Sequence, residues 1–202
     1  MEKETIPGVI LVLTCHKYYS KLRKLNKTDY NGWKVIYVLG NIFQEKEYIL
    51  DNDNFLHVKT EDSYIYLYKK LIKSLEAVYQ LYNITDGILR CGDDLIFIES
   101  SLQKLLDDKN KSDFIGRCYD TTKYNYDLPY SQYLTENRED WSMLQYYNRN
   151  KEDASDILHN VSSIDLYKYR IVPTIPKGLF AIGVLFYISN NCTYIVTYHL
   201  KT

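Results

Sequence analysis

Two adjacent carboxylates, Asp93 and Asp94, stand where an apolar run ends in a turn. Residues 87–91 (GILRC) lead into them through Gly92, and residues 95–98 (LIFI) follow. Carboxylate oxygens suit hard cations such as Mg²⁺ and Mn²⁺, which need only one or two protein carboxylates when a diphosphate supplies further oxygens. The pair therefore predicts a divalent-cation site that holds a diphosphate. A solvated acidic turn is the alternative, because Gly and Asp are common turn residues.

Alternating strand and helix patterns in the first half of the chain must position this pair. Apolar runs typical of buried strands occur at residues 9–13, 34–39, 55–58 and 87–91, with a further short strand at 113–116. Apolar residues three or four apart predict helices at residues 17–26, 63–82 and 99–108. Asp62 or Ser63 is suited to cap the second of these helices. The alternation predicts an α/β fold with a mostly parallel sheet flanked by helices.

Several polar residues follow the predicted strands directly. In open parallel sheets, ligands bind beyond the carboxyl ends of the strands. Three predicted loops fall at those ends, and they are Thr14-Cys15-His16, Gly40-Asn41 and Gly92-Asp93-Asp94. We therefore expect these loops to converge on one crevice, with the acidic pair as one of its walls.

The second half of the chain is less regular. Residues 117–170 are polar and rich in Tyr, with a short helix predicted at 139–147. Residues 177–189 form an apolar run that predicts a strand pair or a bent strand. Within that run, Gly183 would let a backbone or a ligand approach closely. A further helix is predicted from residue 190.

Composition excludes several classes of protein. The 202 residues carry 25 Lys and Arg against 26 Asp and Glu, so there is no basic field of the kind that nucleic-acid binders show. The four Cys form no CxxC pair, which argues against a zinc site. The apolar run at 9–13 is far shorter than a membrane span, and no signal peptide is visible. We therefore expect a soluble, cytoplasmic protein without a membrane segment.

Four segments, taken in order, resemble the β-1,3-glycosyltransferases of the galactosyltransferase and Fringe type, which have the GT-A fold. Residues 35–40 (VIYVLG) resemble that family's second strand and its closing glycine. Residues 61–70 (EDSYIYLYKK) resemble its D-S-Y-x-N-L-x-x-K segment, with Tyr66 in place of the Asn. Residues 90–94 (RCGDD) resemble its K-x-D-D-D metal motif.

The fourth segment, residues 176–189, loosely resembles the family's P-x-x-x-G-x-G-Y-x-x-S segment. Gly183 fits that pattern, whereas Tyr187 and Ser189 are out of register. The resemblance implies one GT-A domain over residues 1–202. Its nucleotide-sugar-binding half would be 8–116 and its acceptor-side half 117–202, and truncation of the latter is one of the alternatives that the sequence leaves open.

The resemblance also implies a nucleotide-sugar donor, usually a UDP-sugar, a glycan or glycoprotein acceptor, and Mn²⁺ or Mg²⁺. Asp94 would ligate the metal, and Asp93 would lie beside it near the ribose or the sugar. The remaining donor contacts implied are Thr14 and Cys15 at the uracil, and Arg23, Asp62 and Lys70 near the base or the diphosphate. Arg90 or Lys70 could add a cationic contact to the diphosphate.

The chain departs from the family in two places. Gly92 replaces the first Asp of the metal motif, and no E-D-V-like segment follows the fourth segment to supply the catalytic base. The catalytic residue is therefore unknown, and the available carboxylates are Asp120, Asp140, Asp153, Asp156 and Asp165. A truncated chain, a short form that uses another carboxylate, and a module that binds the nucleotide sugar or a glycan without efficient transfer all fit this departure. A nucleotidyltransferase is a further alternative, because such enzymes also use paired carboxylates in α/β sheets.

Overall fold

The structure, a computed structural model, describes residues 2–25, 29–62, 66–108, 111–120 and 179–193. The chain divides into two compact units. One unit combines residues 1–117 with residues 182–202, and the other comprises residues 118–181. Almost all of the second unit lies outside the described residues.

The described part of the chain contains an eight-stranded sheet. Its strands are β1 (Glu4–Leu13), β2 (Asp29–Tyr30), β3 (Trp33–Gly40), β4 (Tyr48–Leu50), β5 (Phe55–Val58), β6 (Tyr82–Gly92), β7 (Phe114–Asp120) and β8 (Leu179–Ser189). The helices are a 3₁₀ turn (His16–Tyr18), α1 (Tyr19–Leu25), α2 (Leu67–Leu81) and α3 (Glu99–Asp107).

The sheet has the order β4-β5-β3-β1-β6-β8-β7, and β2 pairs with β3 as a short hairpin. Its centre is parallel, because β1 pairs in parallel with both β3 and β6, and β3 pairs in parallel with β5. Strands β4 and β8 add to this centre in the antiparallel direction. The prediction of an α/β fold with a mostly parallel sheet and flanking helices is therefore confirmed.

Alternate residues of β1 enter two different cores. The core on the side of α2 takes Val9, Leu11 and Leu13, whereas the core on the side of α1 and α3 takes Ile10 and Val12. Since all five side chains are buried, the strand is apolar at every position rather than at every second one. This burial on both faces is the reason why a continuous apolar run marks the strand.

A hairpin that the apolar pattern did not predict joins β2 to β3. Asn31 and Gly32 form its turn with φ values of 50° and 82°, the left-handed region that two-residue hairpin turns require. The amide of Gly32 donates to the Asp29 carboxylate over 3.1 Å. An Asn-Gly pair is a strong hairpin signal in a sequence. This signal could have identified strand β2, which hydrophobic periodicity misses.

Two predicted boundaries are wrong. Helix α2 begins at Leu67 rather than Ser63. Asp62 does not cap it, because its carboxylate accepts the backbone amides of His16 and Gly40 instead. The residue at the cap position, Tyr66, makes no capping hydrogen bond through its side chain. Strand β6 begins at Tyr82, directly after α2 ends, and extends well before the predicted start at residue 87.

The apolar run near the C-terminus forms one strand, β8, rather than a strand pair. It runs antiparallel to β6, with Leu185 opposite Cys91. This pairing is why residues 182–202, predicted as part of an acceptor-side half, group with the first unit. The helix predicted at 139–147 lies outside the described residues, and residues 190–193 are helical. None of the helices in the described ranges combines the length and apolar character of a membrane span.

Candidate functional site at the carboxyl edge of the sheet

Strand β1 lies at the point where the sheet changes direction. From β1 the chain adds β3 and then β5 on one side, and α2 then carries it back to β6 on the other side. The order β5-β3-β1-β6 is therefore that of the central strands of a doubly wound sheet, in which the switch point falls between β1 and β6. Ligands in such sheets bind at the carboxyl ends of the strands that flank this point.

Thr14 and Asp93 meet across the switch point. Leu13 and Gly92 are paired at the ends of β1 and β6, so the residues that follow them emerge side by side. The Thr14 hydroxyl donates to Oδ2 of Asp93 over 2.5 Å. Thr14 is buried and Asp93 is half-buried. The hydrogen bond therefore fixes the Asp93 carboxylate against the end of β1.

The second carboxylate has a different environment. Asp94 is exposed to solvent. A Cβ atom at Gly92 would lie 2.7 Å from Oδ1 of Asp94, so this carboxylate lies close over the glycine. Gly92 thus leaves room for the carboxylate of Asp94. The sequence predicted the pair at this edge, and the structure distinguishes a held carboxylate from an exposed one.

Lys70 and Asp62 form a buried ion pair directly beneath the edge. The Lys70 Nζ lies 2.7 Å from Asp62 Oδ1, and the two side chains are 3% and 0% exposed. The ammonium also donates to the carbonyl of Thr14 over 2.6 Å. The Asp62 carboxylate accepts the amides of His16 over 2.7 Å and Gly40 over 3.1 Å. The pair therefore ties the ends of β1 and β3 to the segment after β5 and to α2.

This arrangement gives Lys70 and Asp62 a positioning role, since both groups are buried and occupied by protein partners. Their direct contact with a base or diphosphate stays a prediction. Sequence reasoning missed the ion pair, although one signal was present. Lys70 falls four and eight residues before Ser74 and Val78 on the buried face of α2, where a lysine requires a buried acidic partner.

Both cysteines at this edge carry protonated thiols at neutral pH. Burial raises the pKa of Cys15, and the carboxylates of Asp62 and Asp93 raise it further. Burial also raises the pKa of Cys91 to about 12. Because the thiolate is the nucleophilic form, neither residue is suited to covalent catalysis. The prediction that Cys15 lines a nucleotide pocket stays a prediction.

The structure does not bring the predicted cationic residues Arg23 and Arg90 to the carboxyl edge of the sheet in the way that it brings Asp93 there. Arg23 pairs with Asp53 over 2.6 Å, and Asp53 precedes the start of β5, so this pair lies toward the amino edge of the sheet. Arg90 is buried within β6, and its guanidinium lies 5.7 Å from the ring of Phe186 in β8. Gly183 lies in β8, where the antiparallel register directs it toward the same edge as Gly92.

The side chains that are available as ligands limit how a metal ion could be held. Among the described residues, no three His, Cys, Asp or Glu side chains are grouped as metal ligands. Two neighbouring carboxylates suit Mg²⁺ or Mn²⁺ when phosphate oxygens and water complete the coordination. Comparison with protein-family models and with curated protein sequences found no match to this chain.

Replacing Thr14 with Val should lower the free energy of unfolding by about 2 kcal/mol, because a hydrogen bond to a charged carboxylate is lost without a large change in volume. Urea unfolding of the variant and of the unmodified chain measures this difference. Thr14→Ser keeps the hydroxyl and is the matched control. If the Val and Ser variants were equally stable, the hydrogen bond to Asp93 would contribute nothing.

Proposed function

We propose that this protein is a metal-dependent glycosyltransferase with a GT-A fold. It transfers a sugar from a nucleotide sugar, expected to be a UDP-sugar, to a hydroxyl group of a glycan or glycoprotein. The observation that carries the proposal is the placement of Asp93 and Asp94 beside Thr14 at the switch point of the sheet. The ordered resemblance of four segments to the galactosyltransferase and Fringe type supports the same function.

The two carboxylates fit a division of roles. Asp94 is exposed, so it can reach an incoming metal ion, whereas Asp93 is held by Thr14 and cannot turn away from the crevice. A bound Mn²⁺ or Mg²⁺ would neutralise the charge that develops on the leaving diphosphate. The buried Lys70–Asp62 pair supports the loops that carry these residues by holding the Thr14 carbonyl and the His16 amide.

An inverting transfer also requires a general base that accepts the proton of the acceptor hydroxyl. Of the residues considered for this role, Asp120 is the last residue of β7, and the others lie outside the described residues, namely Asp140, Asp153, Asp156 and Asp165. The proposed donor-binding residues can nevertheless be tested separately, because binding of the nucleotide does not require the general base.

Titration calorimetry of UDP with and without Mn²⁺ tests the proposal. We expect Mn²⁺ to tighten UDP binding at least about tenfold, because phosphate oxygens and carboxylates share the ion. Asp94→Ala should abolish this gain. Asp53→Ala, which removes a carboxylate paired with Arg23 toward the amino edge, should leave the gain unchanged. Absence of UDP binding in both conditions would exclude the proposed function.

Turnover distinguishes the proposed enzyme from a module that binds the donor without transfer. Incubation with UDP-sugars and a glycan array should yield a glycosylated product and free UDP. UDP binding without release of UDP from any sugar donor would favour the binding module. Preferential binding of intact UTP would instead favour a nucleotidyltransferase.

A further inference from the structure

A cavity of about 370 Å³ lies against the face of the sheet that packs on α1 and α3. Its floor is formed by side chains of three adjacent strands, Ile10, Val12, Val35, Tyr37 and Cys91. Leu22 of α1 and Leu102 of α3 lie on its walls, and residues 95–97 of the loop after Asp94 complete it. The cavity is thus mainly apolar and begins next to the candidate site.

The cavity lies between two helices on one face of the sheet. Helix α1 follows β1 and α3 follows β6, and both contribute to the core on this face of the sheet. Leu22 of α1 and Leu102 of α3 both line the cavity, which therefore separates these helices above the floor of strands. The volume falls within the range of about 300–1,000 Å³ that is usual for small-molecule sites. It is more than twice the engineered apolar cavity of about 150 Å³ that binds benzene.

The mouth of the cavity is acidic. Asp93 and Glu99 both line it, and carboxylates accept hydrogen bonds but donate none. Tyr30 also lines the cavity, and its hydroxyl donates to the carbonyl of Glu99 over 3.3 Å. Burial raises the pKa of Tyr30, and the charges of Glu99 and Asp107 add to the rise. A head group that donates hydrogen bonds is therefore favoured there, and an anionic head group is repelled.

The cavity is accessible from solvent on the side of the candidate site. Ile96 lines the cavity and is nevertheless 97% exposed. Asp93 belongs both to the mouth of the cavity and to the hydrogen bond with Thr14 at the switch point. A ligand whose apolar end fills the cavity would therefore hold its polar head beside the place proposed for the nucleotide sugar.

We propose that this cavity binds the apolar end of an uncharged acceptor, an alkyl or aryl group joined to a hydroxyl-bearing head such as a sugar. The inference rests on the proposed glycosyl transfer, which requires an acceptor hydroxyl near the donor. The apolar floor supplies affinity by burying the apolar end of the ligand. The carboxylates at the mouth orient the head group by accepting hydrogen bonds from its hydroxyl groups.

Methyl NMR of the unmodified full chain tests this assignment. The probes are octyl β-glucoside below its critical micelle concentration, methyl β-glucoside with the same head, and octanoate with a similar tail and an anionic head. Octyl β-glucoside should shift the methyl signals of Ile10 and Val12 and leave those of Leu75 and Val78, on the other face of the sheet, unchanged. Octanoate should bind at least about tenfold more weakly because the acidic mouth repels it.

The tail should dominate the affinity. Each buried methylene contributes about fourfold, so burial of three makes octyl β-glucoside bind about sixtyfold more tightly than methyl β-glucoside. Val12→Phe, which fills the floor, should remove octyl β-glucoside binding while UDP with Mn²⁺ still binds. Equal binding of the two glucosides, or unchanged signals of Ile10 and Val12, would overturn the assignment.

A UDP titration of the same sample separates the two proposals. If octyl β-glucoside fails to bind while UDP binds with Mn²⁺, only the acceptor cavity is wrong. If UDP fails to bind while octyl β-glucoside shifts Ile10 and Val12, the cavity binds apolar ligands but its role as an acceptor site falls with the proposed function.

Discussion

Replacing Lys70 with Met should lower the free energy of unfolding by about 3–5 kcal/mol, because the substitution leaves the Asp62 carboxylate buried without its cation. The Asp62 side chain is 0% exposed, so water cannot replace the lost ammonium. The carbonyl of Thr14 also loses a donor. Urea unfolding followed by circular dichroism measures the difference by linear extrapolation.

Helix α2 offers a matched control for this prediction. Lys73 pairs with Glu47 over 2.6 Å, but Glu47 is 70% exposed, so Lys73→Met should change stability far less. Combining Lys70→Met with Asp62→Asn should recover part of the lost stability, because the buried charge is then removed. Equal destabilisation by Lys70→Met and Lys73→Met would show that the ion pair does not support the carboxyl edge.

Replacing Lys111 with Met should lower the free energy of unfolding by about 3 kcal/mol, because it too breaks a buried ion pair. The Lys111 ammonium lies 2.9 Å from Asp86, and the two side chains are 4% and 20% exposed. It also donates to the carbonyls of Leu106 and Asp108 at the end of α3, over 3.0 and 2.6 Å. The variant therefore removes one of the donors to the Asp86 carboxylate of β6, and also the donor to two carbonyls at the end of α3.

The control is Lys104→Met on α3, which replaces an exposed lysine and should change stability little. Asp86 keeps a second partner in the Lys111 variant, because Tyr187 donates to it over 2.6 Å. Tyr187→Phe combined with Lys111→Met should therefore be less stable than Lys111→Met alone. If the double variant were no less stable, Tyr187 would not compensate for the lost lysine.

The elements that matched prediction are those with a strong local pattern. The strand at Phe55–Val58 and the helix that starts at Glu99 agree with the pattern, because burial on both faces and amphipathic spacing are properties of short consecutive segments. Strand β4, at Tyr48–Leu50, was missed because three residues are too few to show a period. Its place in the sheet comes from pairing with β5, which is a tertiary contact.

Part of the candidate site was likewise visible in the sequence, and part depended on tertiary contacts. The position of Asp93 and Asp94 at the end of a buried strand is visible in the sequence, since a strand and its following turn are adjacent along the chain. The hydrogen bond that holds Asp93 is not visible there, because its partner Thr14 lies 79 residues away. Arg23 was expected near the base or the diphosphate, and in the structure it pairs with Asp53, a contact that the sequence did not indicate.

The sequence by itself determined that strands and helices alternate and that an acidic pair follows a buried strand. Both follow from local spacing of apolar and polar residues. Only the tertiary structure decided which charged side chains face the crevice and which lie buried beneath it. Lys70 and Asp62 are eight residues apart, yet whether they bind a ligand or each other depends on how α2 packs against the ends of β1 and β3. The reason is physical, because burial and charge pairing depend on residues that meet only after the sheet has formed.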